Sequence, residues 1–492
     1  MTGPENISML AGCEDEGLTS PYLSSLKLDP EDEDIYVISD LHLAAGIDHD
    51  SKYSGTENFF YDEYFYRFIN HIKSGNKNSW LVINGDFIDF LRITNIPKKT
   101  EEFVVWQDYL KKIGINKSMQ ELQSSILPKE LEYGFKTHEF KSVWRLICSV
   151  KGHQLFFDSL SEWIAAGNKL VIVKGNHDLE WYWKGIRNAL RLMLAEKIVK
   201  LSGKGSDEVL REYIFPGLLF SDHSVTFNES VYIEHGHLYD KYSHVQGDPL
   251  MPDKEELNLP FGAFLNRYLL NKLEAVFPFL DNVRPRNKFL PLLIRDHFFL
   301  GIKVFFRYIP FMLKLIPKGY FSYMFGRLIA FAVPLIILLI WIGISIWYAI
   351  NSGTIHLPEL NNWMITPLKS LFWGVISFFF VKIIAYFQLG EKEDLNDDAK
   401  KIINAHPEDK FVILGHTHNP EQFEYKGCWY FNTGTWIPIV EVSDIEIRWD
   451  KTFSLIHLAK DYQGVYKIPV LQRWNNDSSR FELLALINKK NI

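Results

Sequence analysis

Ile35-Tyr36-Val37-Ile38-Ser39-Asp40-Leu41-His42 is an apolar run that ends in a carboxylate and an imidazole two residues apart. A short aliphatic stretch behind an acidic segment is the pattern of a strand buried on both faces. The arrangement recurs four times. Trp80–Asn84 runs into Gly85-Asp86-Phe87-Ile88-Asp89, and Leu170–Lys174 into Gly175-Asn176-His177-Asp178. Val231–Glu234 runs into His235-Gly236-His237, and Phe411–Leu414 into Gly415-His416-Thr417-His418. Gln154–Ala166, closed by Gly167-Asn168, and Leu179–Leu201 read as helices between them. Alternating strands and helices predict an α/β core with a site at the strand ends. Leu219–Glu234 reads as a hairpin turning at Asn228-Glu229-Ser230, and Ile93–Val150, poor in strand signals, as added helices near the site.

Composition sets the frame. In 492 residues, 47% are hydrophobic and 15% aromatic, enough for a sizeable core. The net charge of −7 gives no reason to expect a nucleic-acid partner. Cys13, Cys148 and Cys428 are odd in number and far apart, which excludes a disulfide framework and a cysteine-rich zinc motif. Residues 1–33 are polar and acidic with no basic start before an apolar run, so they read as a disordered tail without a signal peptide.

The five clusters have the chemistry of a two-cation hydrolytic centre. Two ions about 3.5–4 Å apart need one bridging ligand and several terminal ones. A carboxylate bridges well, and Asp86 is the candidate. Asp40, His42 and His418 would cap the first ion; Asn176, His235 and His416 would serve the second. Asp40 and His42 alternate along one strand end, so the loop geometry must make them converge. Mixed nitrogen and oxygen ligands suit manganese, iron or zinc better than calcium, with manganese the first choice.

The set D-x-H, G-D-x-x-D, G-N-H-D, H-G-H and G-H-x-H resembles the calcineurin-like metallophosphoesterase superfamily. The resemblance covers roughly residues 34–245 and 402–440, and Asn432-Thr433-Gly434-Thr435-Trp436 is similar to a motif that trails the last cluster in that family. It implies a four-layer αββα sandwich, metal ligands at Asp40, His42, Asp86, Asn176, His235, His416 and His418, and a metal-held hydroxide as attacking group. His237 is the second choice to His235, because the family's ligand stands directly before the glycine. The resemblance also gives His177 a place on the phosphate rather than on a metal, with Asp89 orienting it. A carboxylate partner fixes an imidazole's tautomer, as a general acid needs. His153, His223, His244 and His406, outside the motifs, read as structural or surface residues.

Composition changes after about Leu250. Residues 251–400 read as an insertion between a first phosphoesterase segment, 34–250, and a second, 401–492. Leu328–Ile350 carries no charge over 23 residues, long enough to cross a hydrocarbon core of ~30 Å. Leu371–Phe387, with Lys382 alone, is a shorter candidate; the alternative for both is a buried core helix. Lys303, Arg307, Lys314 and Lys318 recur on one helical face beside Phe305, Phe306, Phe311 and Met312, a pattern suited to anionic lipid headgroups. Asn351–Thr366 has no Lys or Arg while the upstream flank is basic, so the catalytic portions are expected on the cytoplasmic side of a membrane.

Val37–Leu43 and Gly85–Asp89 are especially similar to the branch that contains UDP-2,3-diacylglucosamine pyrophosphatases, which act on a lipid-linked sugar nucleotide. Those enzymes carry Arg where this chain has His177 and lack so long an insertion. The expected function is therefore a membrane-associated phosphoester hydrolase, acting on a lipid-linked phosphate or pyrophosphate, with the lipid A enzyme as the narrower alternative. A membrane-bound adaptor with a structural metal site is the alternative from another class. Nothing in the chain fixes the oligomeric state.

Overall fold

Each of the five apolar runs is a strand, and each cluster begins where its strand ends. The computed structural model describes residues 25–47, 52–75, 77–240, 242–245, 247–271, 282–284, 396–441 and 446–484. The first half contains β1 (Ser25–Leu28), β2 (Asp34–Ile38), α1 (Asp62–Lys73), β3 (Ser79–Asn84), α2 (Thr100–Lys112), α3 (Glu139–Gly152), α4 (Gln154–Ala165) and β4 (Lys169–Val173). Then come α5 (Lys184–Ser202), β5 (Leu218–Ser221), β6 (Ser224–Phe227), β7 (Val231–Glu234), β8 (Val283–Arg284), α6 (Asn396–Ala405), β9 (Phe411–Leu414), β10 (Glu421–Tyr425) and β11 (Cys428–Asn432). β12 (Val440–Glu441), β13 (Glu446–Ile447), β14 (Ser454–Leu458), β15 (Leu471–Asn475) and β16 (Arg480–Leu483) complete the order.

These elements make an α/β structure with two large mixed sheets. One runs β16-β15-β14-β2-β3-β4-β5, with β2 to β5 parallel and Val37 opposite Val82, which in turn faces Val171. The other runs β1-β6-β7-β9-β11-β10, and a small sheet runs β13-β12-β8. Three clusters thus leave adjacent parallel strands of the first sheet, and two leave the parallel neighbours β7 and β9 of the second.

Period-two alternation distributes the core. Ile35, Val37, Val82, Val171 and Val173 from the first sheet share a cluster with Val225, Ile233, Ile413 and Phe431 from the second. The intervening residues Tyr36, Ile38, Leu81, Ile83 and Ile172 turn to the other face, among Phe65, Phe156, Leu190 and Trp163 from the helices. On the second sheet, Val412, Leu414 and Tyr430 pack with Ala399, Ile402 and Ile403 of α6. Each fully buried aliphatic side chain here is worth roughly 1.5–3 kcal/mol against exposure, which fixes register as well as stability.

The structure corrects several boundaries. The expected tail through residue 33 is too long, because Ser25–Leu28 pairs with β6 in parallel and Leu26 and Leu28 pack on the inter-sheet cluster. Their alternation with Ser25 and Lys27 is a strand pattern set within an acidic stretch of chain. The hairpin is confined to β6 and β7; Leu218–Ser221 belongs to the other sheet, beside β4. Residues 251–271 and α6 pack with the described residues on either side of the insertion as one unit, so the inserted segment is shorter than 251–400. Helices do fill 93–150, chiefly α2 and α3. Among the described residues no helix is long and apolar enough to cross a membrane. Leu328–Ile350, Leu371–Phe387 and the basic stretch 303–318 lie outside the described residues.

Candidate metal centre

The loops after β2, β3 and β9 are bent sharply by backbone conformations that side chains seldom adopt. Asp40, His42, Asp86, His416 and His418 all have φ between 51° and 71°. Such left-handed residues cost energy each and persist where the surroundings over-determine them, commonly at functional sites. They also answer how Asp40 and His42 converge, since a left-handed residue breaks the strand alternation. The backbones interlock: Leu41 N and His42 N donate to Asp86 O, and Asp40 N donates to Gly85 O.

The described residues bring together three candidate groups for a cation, and two of them share Asp86. Of those two, Asp40, His42, Asp86 and His418 form one; Asp86, His235 and His416 form the other, all buried. Its Oδ1 accepts from His177 N at 2.9 Å, while its Oδ2 lies 3.7 Å from His42 Nε2 and 3.2 Å from His235 Nε2. Asp40 divides its oxygens similarly: Oδ2 accepts from Ser39 Oγ and from His416 N. Its Oδ1 accepts no hydrogen bond among the described residues, and lies 3.2 Å from His418 Nε2. A buried carboxylate oxygen without a hydrogen bond is costly unless a cation or charged partner compensates it.

Three imidazoles are oriented through Nδ1. That of His235 lies 2.8 Å from Asn84 O, that of His418 lies 2.7 Å from Asn282 Oδ1, and that of His42 lies 3.3 Å from Asp89 Oδ2. Each therefore presents Nε2 inward, where His42 and His418 approach to 3.1 Å and His235 lies 3.2 Å from Asn176 Oδ1. Engaging the outer ring nitrogen is how metal-binding histidines are held in one tautomer. His416 is steadied differently, with Nε2 3.5 Å from Asp240 Oδ2.

Charge in the centre is strongly coupled. Burial opposes ionisation of Asp86, yet His235, His177 and His42 hold its carboxyl well below the usual range. Burial likewise opposes Asp40, and His418 and His235 hold it below its usual value. Burial would lower His235, but Asp86 and Asp40 push it up to about 9. The negative charge that draws a proton onto His235 is charge that a divalent cation would neutralise.

His177 stands apart from the two groups that share Asp86. Its Nδ1 lies 2.8 Å from Asp89 Oδ2, and its ring meets that of His42 edge-on with centroids 4.7 Å apart. Asp89 also accepts from Arg92 Nε at 2.9 Å. Burial opposes its charge, but His177, His42 and Arg92 hold it well below the carboxylate range. Asp89, His42 and His177 are also close enough to hold an ion. The Asp89 carboxylate is already paired with the Arg92 guanidinium.

Several partners escaped the sequence reading. Asp178 Oδ2 accepts from Phe87 N at 2.9 Å and its Oδ1 from Gly175 N at 2.6 Å, tying the second cluster to the third. Burial, with Asp86 nearby, pushes it up to about 7. Thr435 Oγ1 donates to Asp40 O at 2.9 Å, and Asn432 Nδ2 to Gly415 O at 2.8 Å, so the trailing motif buttresses the first and last clusters. Asp178 and Asp240 stood within or beside motifs and could have been weighed. Asn282 lies 136 residues from His418, with no local signal. His237 is buried beside His235, ring centroids 5.4 Å apart, and is in none of the three cation groups.

Comparison of the chain with known protein families, with curated proteins and with solved structures returned no match.

Proposed function

We propose that the protein is a dinuclear metal-dependent phosphoester hydrolase of the calcineurin-like kind, a four-layer αββα sandwich joined to a membrane by its insertion. The observation that carries this reading is the shared carboxylate: one oxygen of Asp86 faces both His42 and His235, and Asp86 belongs to two of the three candidate cation groups. The layers are supported by the three hydrophobic clusters, one between the sheets and one on the outer face of each.

Asp40, His42, Asp86 and His418 would hold one ion; Asp86, Asn176, His235 and His416 the other, manganese by preference and iron or zinc by the same donor set. A pair of divalent cations there would supply charge neutralisation for the phosphoryl oxygens and acidify water. In the overall hydrolysis, a P–O bond forms to a water oxygen as the P–O bond to the leaving group breaks. One water proton passes to solvent. His177, its Nδ1 committed to Asp89, protonates the departing oxygen through Nε2 and regains a proton from solvent. Arg92 and Asp89 hold that imidazole in place.

The lipid-linked character of the substrate and the cytoplasm-facing placement rest on the uncharged Leu328–Ile350 and the basic stretch before it. Histidine at position 177 favours a general phosphoesterase over the sugar-nucleotide pyrophosphatase branch. The test is turnover of aryl phosphates, diesters and pyrophosphates by the purified full chain with added Mn2+, beside Asp86→Ala. Activity lost in the variant supports the hydrolase. Metal bound at stoichiometric amounts with no turnover of any substrate would instead mark a metal-stabilised adaptor.

A further inference from the structure

Ser39 directly follows β2 of the first sheet and Thr433 directly follows β11 of the second, and their hydroxyls meet. Ser39 Oγ donates to Asp40 Oδ2 and lies 2.5 Å from Thr433 Oγ1. Ser39, Asp40 and Thr433 are all fully buried, so their polar atoms find their partners inside the protein.

The direction of donation follows from the proton count. A hydroxyl has one proton to give and can accept as well, whereas an ionised carboxylate only accepts. Ser39 has two acceptors in reach, Asp40 Oδ2 and, at 3.3 Å, Gly434 O. The charged and nearer oxygen takes the proton. Between the two hydroxyls Thr433 is then the donor. Its other acceptor, Leu414 O at 3.0 Å, already receives Thr433 N at 2.8 Å. Donation therefore runs from Thr433 to Ser39 to Asp40.

The consequence falls on Asp40. His416 N also donates to its Oδ2, at 3.1 Å, so that oxygen holds two donors while Oδ1 accepts no hydrogen bond among the described residues. Oδ1 is the atom that lies 3.2 Å from His418 Nε2 and 4.0 Å from His42 Nε2. A carboxylate clamped through one oxygen is set to give the other to a cation. Gly415 leaves room for the clamp, since a Cβ there would lie 2.8 Å from both Asp40 Oδ2 and Ser39 Oγ. The far end is fixed too, because Thr433 O accepts from Ser454 Oγ.

From these contacts we propose that Ser39 and Thr433 are positioning residues of the first cation site: their paired hydroxyls, joining the ends of the two sheets, hold Asp40 so that Oδ1 alone is its ligand atom. Neither residue touches the ion or the substrate; both act through Asp40. The proposal rests on the two-cation reading of the centre, but its test does not need turnover. The trailing motif Asn432–Trp436 thereby acts on a ligand atom as well as on the backbone of the clusters.

The test titrates Mn2+ alone into the chelated full-length protein and reads free Mn2+ by electron paramagnetic resonance, which gives the number of ions bound and their affinities. Thr433→Val keeps the shape and removes the hydroxyl, Thr433→Ser keeps the hydroxyl and removes a methyl group, and Ser39→Ala removes the middle of the chain of donors. The expected result is two ions in wild type, one of them weakened about 10–100-fold in Thr433→Val and in Ser39→Ala, as for loss of a hydrogen bond behind a ligand. Thr433→Ser should bind both ions nearly as wild type does. A role in packing alone predicts the reverse order, with Thr433→Val near wild type and Thr433→Ser impaired by the space it leaves. That order, or equal affinities in all four proteins, overturns the proposal while leaving the hydrolase standing. Variant-sensitive binding without turnover of aryl phosphates supports the clamp and removes the hydrolase, and a wild type that binds no ion removes both. Melting of the chelated proteins identifies any variant that misfolds, and Ser39→Ala decides the matter if Thr433→Val does.

Discussion

A Cβ placed on Gly175 would lie 2.2 Å from Asp86 Oδ1 and 2.5 Å from Asp86 N. The third cluster thus passes so close to the shared carboxylate that no side chain fits between them. Gly85 is constrained in the same way, with φ of 79° and a Cβ that would meet the His235 ring at 2.3 Å. Gly175→Ala should therefore displace Asp86 and lower turnover by about 100-fold or more, since misplacement near 1 Å is enough for that. Metal content should fall with it. Gly55→Ala, where a Cβ would meet nothing within 4 Å, is the control and should keep full activity. An active Gly175→Ala protein with two ions bound would show that the clusters tolerate a wider spacing than the packing implies.

Asp89 acts on a different readout. It touches His177 and His42 through one oxygen and is held by Arg92, yet it need not contact a cation. Asp89→Asn keeps the shape and removes the charge that orients His177. The expected outcome is a fall in kcat of about 10²–10⁴ with little change in KM, as for loss of a general acid. Bound metal measured by elemental analysis should stay near the wild-type amount. A variant that loses metal in proportion to activity would make Asp89 a ligand.

The loop carrying Asp40 and His42 is held from behind by a buried ion pair. Glu57 Oε1 accepts from Ala44 N at 3.1 Å and from Phe59 N at 2.9 Å, and Oε2 accepts from Gly46 N at 2.6 Å. His153 Nε2 lies 3.1 Å from Glu57 Oε2, and its Nδ1 lies 2.9 Å from Asp62 Oδ1. Burial would lower His153, but Glu57 and Asp62 push it up to about 10, so its contribution to stability is complete below its ordinary 6.5 and is lost as pH rises from there toward 10. Burial opposes ionisation of Glu57, but His153 and the backbone donors lower it, so its contribution is present above 4.5 and lost as pH falls through the depressed value. The pair should stabilise most between pH 4.5 and 6.5. His153→Gln should cost about 3–5 kcal/mol there, because it leaves a buried charge uncompensated, and the difference from wild type should shrink toward pH 10. Urea unfolding across pH checks this, and a deficit independent of pH would assign the loss to packing alone.

Much of this centre was legible in the chain. The five strands were visible because a buried parallel strand is a continuous aliphatic run, and Val37, Val82 and Val171 are such positions. The grouping of side chains was partly readable, since Asp40, His42, Asp86 and His418 lie close enough together to hold an ion, as do Asp86, His235 and His416. What was hidden is tertiary. Left-handed φ at Asp40 and His42 is imposed by loops interlocking across the sheet, not by local propensity. β1 was missed because four residues of alternation carry little weight beside an acidic flank, although its partner β6 supplies the pairing. The partition of Leu218–Phe227 between two sheets is likewise invisible to a pattern that reads alternation alone.

Asn282 carries the last prediction. It is fully buried, sits beside β8, and accepts at Oδ1 from His418 Nδ1 at 2.7 Å. Its partner His418 lies 3.2 Å from Asp40 Oδ1, the oxygen that accepts no hydrogen bond among the described residues. Loss of such an outer hydrogen bond lets the ring rotate and lowers its basicity, which typically weakens a metal site by about 10–100-fold. Asn282→Ala should therefore weaken Mn2+ affinity by that factor without abolishing the fold. The reading is thermal: a cation that binds only the folded state stabilises by about 2.7 kcal/mol at 100 times its Kd, so Mn2+ should raise Tm and chelation should remove the rise. In Asn282→Ala the whole Mn2+ titration should move to higher concentration while the chelated Tm changes little. Asn282→Asp, which keeps an acceptor toward the same ring nitrogen, should restore the affinity. A titration unmoved in the alanine variant would mean that His418 is held by its loop alone, and that the segment carrying β8 has no hand in setting the centre.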